Sequence, residues 1–317
     1  MKKTKTHSLA AELDQYILPY RVDGSTRFHL AAQKSDEKGD LDKDTAQDIL
    51  DANRRRLADF QEKLYAQDRW SLLLIFQGMD AAGKDSAIKA IFEGINPQGC
   101  EVTSFKQPTV HELEHDFLWR CVLALPKRGR IGIFNRSYYE DCLVTRVHPK
   151  LLRQARIPPE LITKDIWRER FADISAFERH LTRNGTIILK FFLNISKEEQ
   201  RKRFLDRLEE PSKTWKFSMT DVTERRRWSR YEAVYQDIVR HTATPAAPWY
   251  VVPADHKWFA RVVIGSTIVK TLDVLNLRFP RLDKASQEEF KAVRKALEQE
   301  RKGGAKALTK IVKQAKT

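Results

Sequence analysis

Residues 71–86 read Ser71-Leu72-Leu73-Leu74-Ile75-Phe76-Gln77-Gly78-Met79-Asp80-Ala81-Ala82-Gly83-Lys84-Asp85-Ser86. A continuous apolar run ends in a glycine-framed loop, and residues 85–92 then place apolar side chains at helical spacing. An apolar run without alternation is the pattern of a parallel strand covered on both faces. Strand, G-x-x-x-x-G-K and helix form the context that a phosphate-binding loop requires. Glycines let backbone N–H groups close round an anion, and the helix N-terminus adds its positive end. Lys84 can bring a mobile charge to a phosphoryl oxygen. The plainer alternative is an ordinary Gly-rich βα turn, and the flanking strand and helix weigh against it. Gly78, Ala82, Gly83, Lys84, Asp85 and Ser86 are therefore candidate phosphate ligands.

The loop departs from the usual form in two places. Asp85 follows the lysine, where a Ser or Thr hydroxyl would ligate Mg²⁺, and Ser86 comes one place later. Asp80 sits inside the loop, where a carboxylate facing phosphates is favourable only with a hard cation between them. Asp80 is thus a candidate Mg²⁺ ligand and acceptor-positioning group, against the reading of an Asx turn.

Working outward, further strands are expected at Glu101–Phe105, Ile131–Phe134, Thr186–Leu193 and Trp249–Val252. Helices are expected at Asp44–Gln67, His111–Leu125, Pro159–Arg183, Lys197–Glu209, Thr223–His241 and His256–Asn276. The alternation implies βαβ units and a parallel sheet with helices on both faces, with ligands at the carboxyl ends of the strands. Residues 1–43 read as an arm wrapping the domain, 44–280 as the P-loop domain, and 281–317 as a basic helical extension.

A second strand ends in Asn135-Arg136-Ser137-Tyr138-Tyr139-Glu140-Asp141. P-loop proteins usually hold their metal here with an Asp; this chain has Asn135, then Arg136, well placed to touch a transferring phosphoryl group. Glu140 and Asp141 begin the next helix and point towards the same mouth, or merely complement its dipole. Residues 197–230 form a candidate lid dense in cations, including Arg201, Arg203, Arg207, Lys213, Lys216 and Arg225. A solvated hairpin of paired charges is the competing reading. Arg203, Arg207 and Lys216 are the chosen candidates for phosphate contact. Phe105, Trp119 and Tyr138 are available to stack on a base, although aromatics at strand ends are more often core.

The 317 residues carry 58 Lys and Arg against 43 Asp and Glu, a formal charge of +15 that attracts polyanions. No apolar stretch approaches the roughly 20 residues of a membrane helix. The start, Met1 to Lys5, lacks the apolar core of a signal peptide. Three cysteines without a CxxC pair argue against a disulfide framework or zinc finger and suggest a reducing cytoplasm. His115, His148 and His256 lack metal-ligand spacing and read as structural. No helix-turn-helix, RNP or zinc signature supports specific nucleic-acid binding.

Several ordered blocks together resemble the polyphosphate kinase 2 family. They are Phe76 to Asp85, Thr103 to Thr109, His115 to Arg120, Phe134 to Asp141 with Leu143 to Val147, Trp215-Lys216-Phe217, and Pro248 to Asp255, spanning roughly residues 15–280. Ser86, in place of an expected Gly, is a small departure. The resemblance implies a three-layer α/β/α P-loop kinase core related to thymidylate kinases, with a central parallel sheet and a helical lid. It implies reversible, Mg²⁺-dependent phosphoryl transfer between inorganic polyphosphate and nucleotides. The second strand end resembles the class III type, which accepts both AMP and ADP. Adenine nucleotides are the first choice of partner and guanine nucleotides the second. The resemblance assigns catalysis to Asp80, Lys84 and Arg136, and nucleotide binding to Lys106, Arg120, Asn135, Arg136, Tyr139, Glu140 and Asp141. A homo-oligomer, dimer or tetramer, is the default for such enzymes. Two rivals remain at this point: an ATP-dependent nucleoside-monophosphate kinase on the same fold, and a non-catalytic polyanion or nucleic-acid binder. Residues beyond 280 lie outside the resemblance.

Overall fold

The computed structural model describes residues 9–215 and 218–300. The chain divides into two compact units between Leu277 and Arg278. The first unit begins with α1 (Leu9–Ile17), β1 (Arg21–Val22), α2 (Lys43–Gln67), β2 (Ser71–Gly78), α3 (Lys84–Ile91) and β3 (Cys100–Ser104). There follow α4 (Trp119–Val122), β4 (Ile131–Asn135), α5 (Glu140–Val147), α6 (Pro149–Gln154), α7 (Ile166–Arg183) and β5 (Thr186–Asn194). It closes with α8 (Lys197–Glu209), α9 (Pro211–Thr214), α10 (Met219–Arg225), α11 (Trp228–Thr242), β6 (Trp249–Pro253) and α12 (Lys257–Asp273).

Among the described residues six strands form one sheet in the order β1-β6-β5-β2-β4-β3. The expectation of a wholly parallel sheet needs correction: β1 pairs antiparallel with β6 through Arg21 and Val22, so the sheet is mixed. Two residues are too few for a sequence period to reveal. The other neighbours are parallel, with Leu72–Phe76 of β2 in register with Ile131–Asn135 and with Ile187–Phe191.

β2 is buried at every position, and its alternation divides the core. Leu72, Leu74 and Phe76 face one layer with Leu50, Leu57 and Leu64 of α2 and Val263 and Ile268 of α12. Leu73 and Ile75 face the other, with Leu143 of α5, Phe171 and Ile174 of α7, and Ile238 of α11. The arm is part of this core: Leu13 and Ile17 join the first layer and Phe28 and Leu30 the second. After β4 the chain crosses past β2 to β5, so the carboxyl end of β2 is a switch point where an open α/β sheet leaves a crevice.

Three helix expectations fail locally. Pro159–Arg183 is not one helix: Pro159–Leu161 is a 3₁₀ turn, the Thr163 hydroxyl accepts from the Asp165 N–H (3.1 Å), and α7 starts only at Ile166. His111–Leu125 is not one helix. Thr109 and Glu112 cap each other, but only a short 3₁₀ turn, Glu112–Glu114, follows. His115 is then extended, and Asp116 accepts from the Leu118 N–H (2.8 Å), leaving only α4. The helix expected from Thr223 starts earlier, at Met219 behind a Ser218 cap, and breaks before Trp228.

In the second unit α13 (Lys284–Glu300) is capped by Asp283, which accepts from the Ser286 N–H (2.7 Å). Phe290, Val293 and Leu297 share one stripe of it. The basic end, with Lys306, Lys310, Lys313 and Lys316, lies outside the described residues.

Candidate active site

Gly78 ends β2 where a Cβ would sit 3.0 Å from the Leu193 carbonyl oxygen and 3.1 Å from Ala82 Cβ. Gly83, at φ 102°, turns the chain into α3. Lys84 opens that helix, only 8 % exposed, and its ammonium donates back to the Gly78 (2.6 Å) and Met79 (3.2 Å) carbonyls. Burial, with the nearby Arg136 charge, lowers its pKa from 10.5 to about 8, against the pull of Asp80, Glu140 and Asp85.

The next strand end supplies the complementary charge. Arg136 is left-handed at φ 65°, and its N–H donates to the Phe76 carbonyl (2.9 Å). Its guanidinium donates to Asp80 Oδ1 (3.0 Å) and lies 3.9 Å from Glu140. Burial raises the Glu140 pKa, opposed by Arg136 and Lys84. The Gln77 amide, oriented to satisfy both its atoms, donates to Glu140 Oε1 (2.8 Å) and accepts from Ser137. Gln200 of α8 donates to the Asp80 carbonyl (2.8 Å), fixing the loop from the other side.

Asp80, Arg136, Glu140 and Gln200 open on a cleft of about 700 Å³ bounded by the phosphate loop, the end of β3, α5, α6 and the helices α10 and α11. Of the candidates, Gly78, Asp80, Lys106, Arg120, Arg136, Glu140 and Asp141 line it, whereas Ala82, Gly83, Lys84, Asp85, Ser86 and Asn135 do not. Arg120 donates to the Lys106 carbonyl (2.8 Å) and lies 3.5 Å from Asp141. Burial raises the Asp141 pKa, opposed by Arg120 and Arg170. Ser86 Oγ donates within the loop to Gly83 (2.9 Å), and exposed Asp85 accepts from the Asn135 amide (2.6 Å), tying α3 to the end of β4.

Other expectations are corrected. Tyr139 is fully buried and its hydroxyl donates to Glu178 (2.8 Å), so it serves the core and not a nucleotide. For Tyr138, buried on Glu178, and Phe105, edge-on against Phe134, the favoured core reading holds and neither is free to stack on a base. Trp119 stacks on His115 instead, centroids 3.8 Å apart. Arg203 does not face the mouth: it is 5 % exposed and donates to the carbonyls of Ala81, Ala82, Ala254 and Asp255 behind the loop. Arg207 reaches Asp221 of α10 (3.5 Å), and Lys216 lies outside the described residues.

The sequence reading missed the acids of α10. Asp221 and Glu224 both line the cleft. Glu224 meets His148 Nε2 (2.6 Å) and accepts from the Tyr231 hydroxyl (2.7 Å) and Arg227 (2.9 Å), joining α5's end to α10 and α11. Burial and the charge of Asp80 raise the Asp221 pKa, with Arg207 and Arg136 opposing. The usable signal was the i, i+3 spacing of Asp221 and Glu224 inside a run read only for its cations.

Comparison with known proteins gives the family. The family model for polyphosphate kinase 2 matches residues 40–280. An ADP-polyphosphate phosphotransferase of Rhodopseudomonas palustris is 48% identical over 251 residues, 79% of this chain and 87% of its own length. An AMP/ADP-polyphosphate phosphotransferase of Meiothermus ruber is 42% identical over 271 residues, 85% of this chain and 97% of its own. The crystal structure of polyphosphate kinase 2 from Arthrobacter aurescens superposes with a TM-score of 0.78 at 38% identity, covering 86% of this chain and 94% of that one. The family model spans most of the chain and both relatives match over most of their own length, and the protein belongs to the polyphosphate kinase 2 family.

Proposed function

We propose that the protein transfers the terminal phosphoryl group of inorganic polyphosphate to AMP and to ADP, reversibly, with Mg²⁺ as its metal. Family membership supports polyphosphate-driven phosphorylation of nucleotides. The observation that carries the residue assignment is the Asp80–Arg136 pair, 3.0 Å apart, on the wall of a cleft formed by the phosphate loop and the lid. The relatives divide on the acceptor: one is named for ADP, the other for AMP and ADP. The Asn135-Arg136-Ser137-Tyr138-Tyr139-Glu140-Asp141 block resembles the class that takes both.

The donor set suits Mg²⁺. Asp80 and Asp221 both open on the cleft and repel one another, and Mg²⁺ is commonly held by one or two carboxylates with phosphate oxygens and water. When bound, it neutralises charge on the phosphates. Lys84 and the loop amides hold the donor phosphates, and Arg136 meets the charge of the transferring group. Lys106 and Arg120 offer cations to the acceptor's phosphate. That acceptor is already an anion, so no strong general base is needed; positioning and electrostatics supply the rate. Among the described residues no helix is long and apolar enough to cross a membrane, and the three cysteines are free. A cytoplasmic dimer or tetramer completes the proposal.

The test is direct. Protein, Mg²⁺ and AMP are mixed with polyphosphate or with ATP, and nucleotides are followed by chromatography. ADP and then ATP should appear with polyphosphate alone. Turnover with ATP only would make it a monophosphate kinase; silence with both would leave a binding protein.

A further inference from the structure

Within the core layer shared by α5, α7 and α11 lies a buried polar cluster that the chemistry above does not use. Lys190, in the middle of β5, is 0 % exposed and Glu178 of α7 1 %. The Lys190 ammonium donates to Glu178 Oε2 (2.6 Å), the Thr242 carbonyl (2.8 Å) and the Tyr139 hydroxyl (3.1 Å). The other carboxylate oxygen, Glu178 Oε1, accepts from Tyr138 (2.9 Å) and Tyr139 (2.8 Å). Thr242 Oγ1 in turn accepts from Trp249 Nε1 (2.9 Å). All three protons of the ammonium are thus used, and both Glu178 carboxylate oxygens are partnered.

Stability is a poor account of this arrangement, since apolar residues of similar volume commonly replace a buried ion pair without loss. A satisfied buried network does fix one conformation. Here a single oxygen holds two consecutive tyrosines, so the backbone from Ser137 to Glu140 has one place to lie. Arg136 precedes it at φ 65°, a conformation that a bulky residue keeps only where its surroundings over-determine it. Glu140, which the Arg136 side chain also faces, follows directly after Tyr139.

We propose that the Lys190–Glu178–Tyr138–Tyr139 cluster is the positioning device for Arg136, holding its strained turn so that the guanidinium meets Asp80 and the transferring phosphoryl group. The inference rests on the reading of Arg136 given above. Its residues touch no substrate; they act through the turn. What matters is the hydrogen bonding of the two hydroxyls, not the buried charge.

The test is steady-state kinetics on full-length variants whose melting temperature matches wild type. Lys190→Met/Glu178→Leu removes the acceptor of both hydroxyls; kcat should fall about tenfold or more, with KM for polyphosphate and nucleotide within about twofold. In an Arg136→Lys background the same pair should add no further loss, because residues acting through one group are not additive. Lys190→Met/Glu178→Gln keeps the acceptor without charge and should recover kcat to within about threefold of wild type. Should the leucine variant not fold, Tyr138→Phe/Tyr139→Phe removes the hydroxyls alone and is read in the same way. The proposal is overturned by an unchanged kcat, by a loss confined to KM, by an equal loss in the Arg136→Lys background, or by no recovery with glutamine. A wild type inactive with polyphosphate would instead overturn the functional reading, so the two failures are distinct.

Discussion

Lys84 carries the sharpest consequence for pH. Its ammonium is buried on two loop carbonyls, and its pKa is lowered to about 8. A cation that must meet phosphate is competent below its pKa and fails above it. The kcat/KM for polyphosphate reports the free enzyme, so it should fall as pH rises through about 8. Bound polyanion favours the charged form, so the fall in kcat should lie at higher pH. For stability the sign is opposite. Above about 8 the folded lysine is neutral while the unfolded one, with an ordinary pKa of 10.5, still binds a proton, so this group's penalty eases as pH rises. A pH–rate profile from 6 to 10 checks the first point, and a kcat/KM flat beyond pH 9.5 would remove Lys84 from the donor site. The same residue shows what the sequence made legible. Gly78 to Lys84 announced themselves because backbone geometry demands those residue types. Tyr139 did not, because nothing local distinguishes a tyrosine facing a cleft from one whose hydroxyl meets a glutamate 39 positions away.

At the scale of elements, the strands were readable for the reason that makes them strands. A run apolar on both faces has no other way to bury itself, and β2, β4, β5 and β6 fell within a residue or two of their expected bounds. The helix expected at His111–Leu125 failed because its apolar spacing competes with Asp116, whose side chain takes the Leu118 N–H. α8 was placed correctly from its spacing, yet the role of its arginine was not. Arg203 bridges α8, the phosphate loop and the end of β6 through four carbonyls, and also donates to Glu199 (2.8 Å). Its removal should leave those carbonyls unpaired and cost about 3–5 kcal/mol. Arg203→Ala is therefore expected to lower the urea midpoint at unchanged slope. A variant with wild-type stability and only a raised KM for polyphosphate would return Arg203 to the phosphate contact first expected of it.

For the whole molecule the question is where the charge lies. Of the net +15, residues 281–317 contribute eleven Lys and Arg against five Asp and Glu, and residues 301–317 contain six cations and no acid. The cleft belongs to the first unit and has its own cations in Lys106, Arg120 and Arg136. A chain of few phosphates can be served there alone; a long polyphosphate has charge left over for the basic end. Each contact to a flexible polyanion contributes about 0.7 to the slope of log affinity against log salt, by analogy with single-stranded nucleic acid. A chain ending at Pro280 should therefore keep its kcat/KM for short polyphosphate, lose it for long chains at low salt, and show a shallower salt slope. Equal long-chain kcat/KM and equal slope for the truncated and full chains would sink this role. The basic end would then be a source of charge without a part in capture, and the attraction of long chains would belong to the cleft and lid alone.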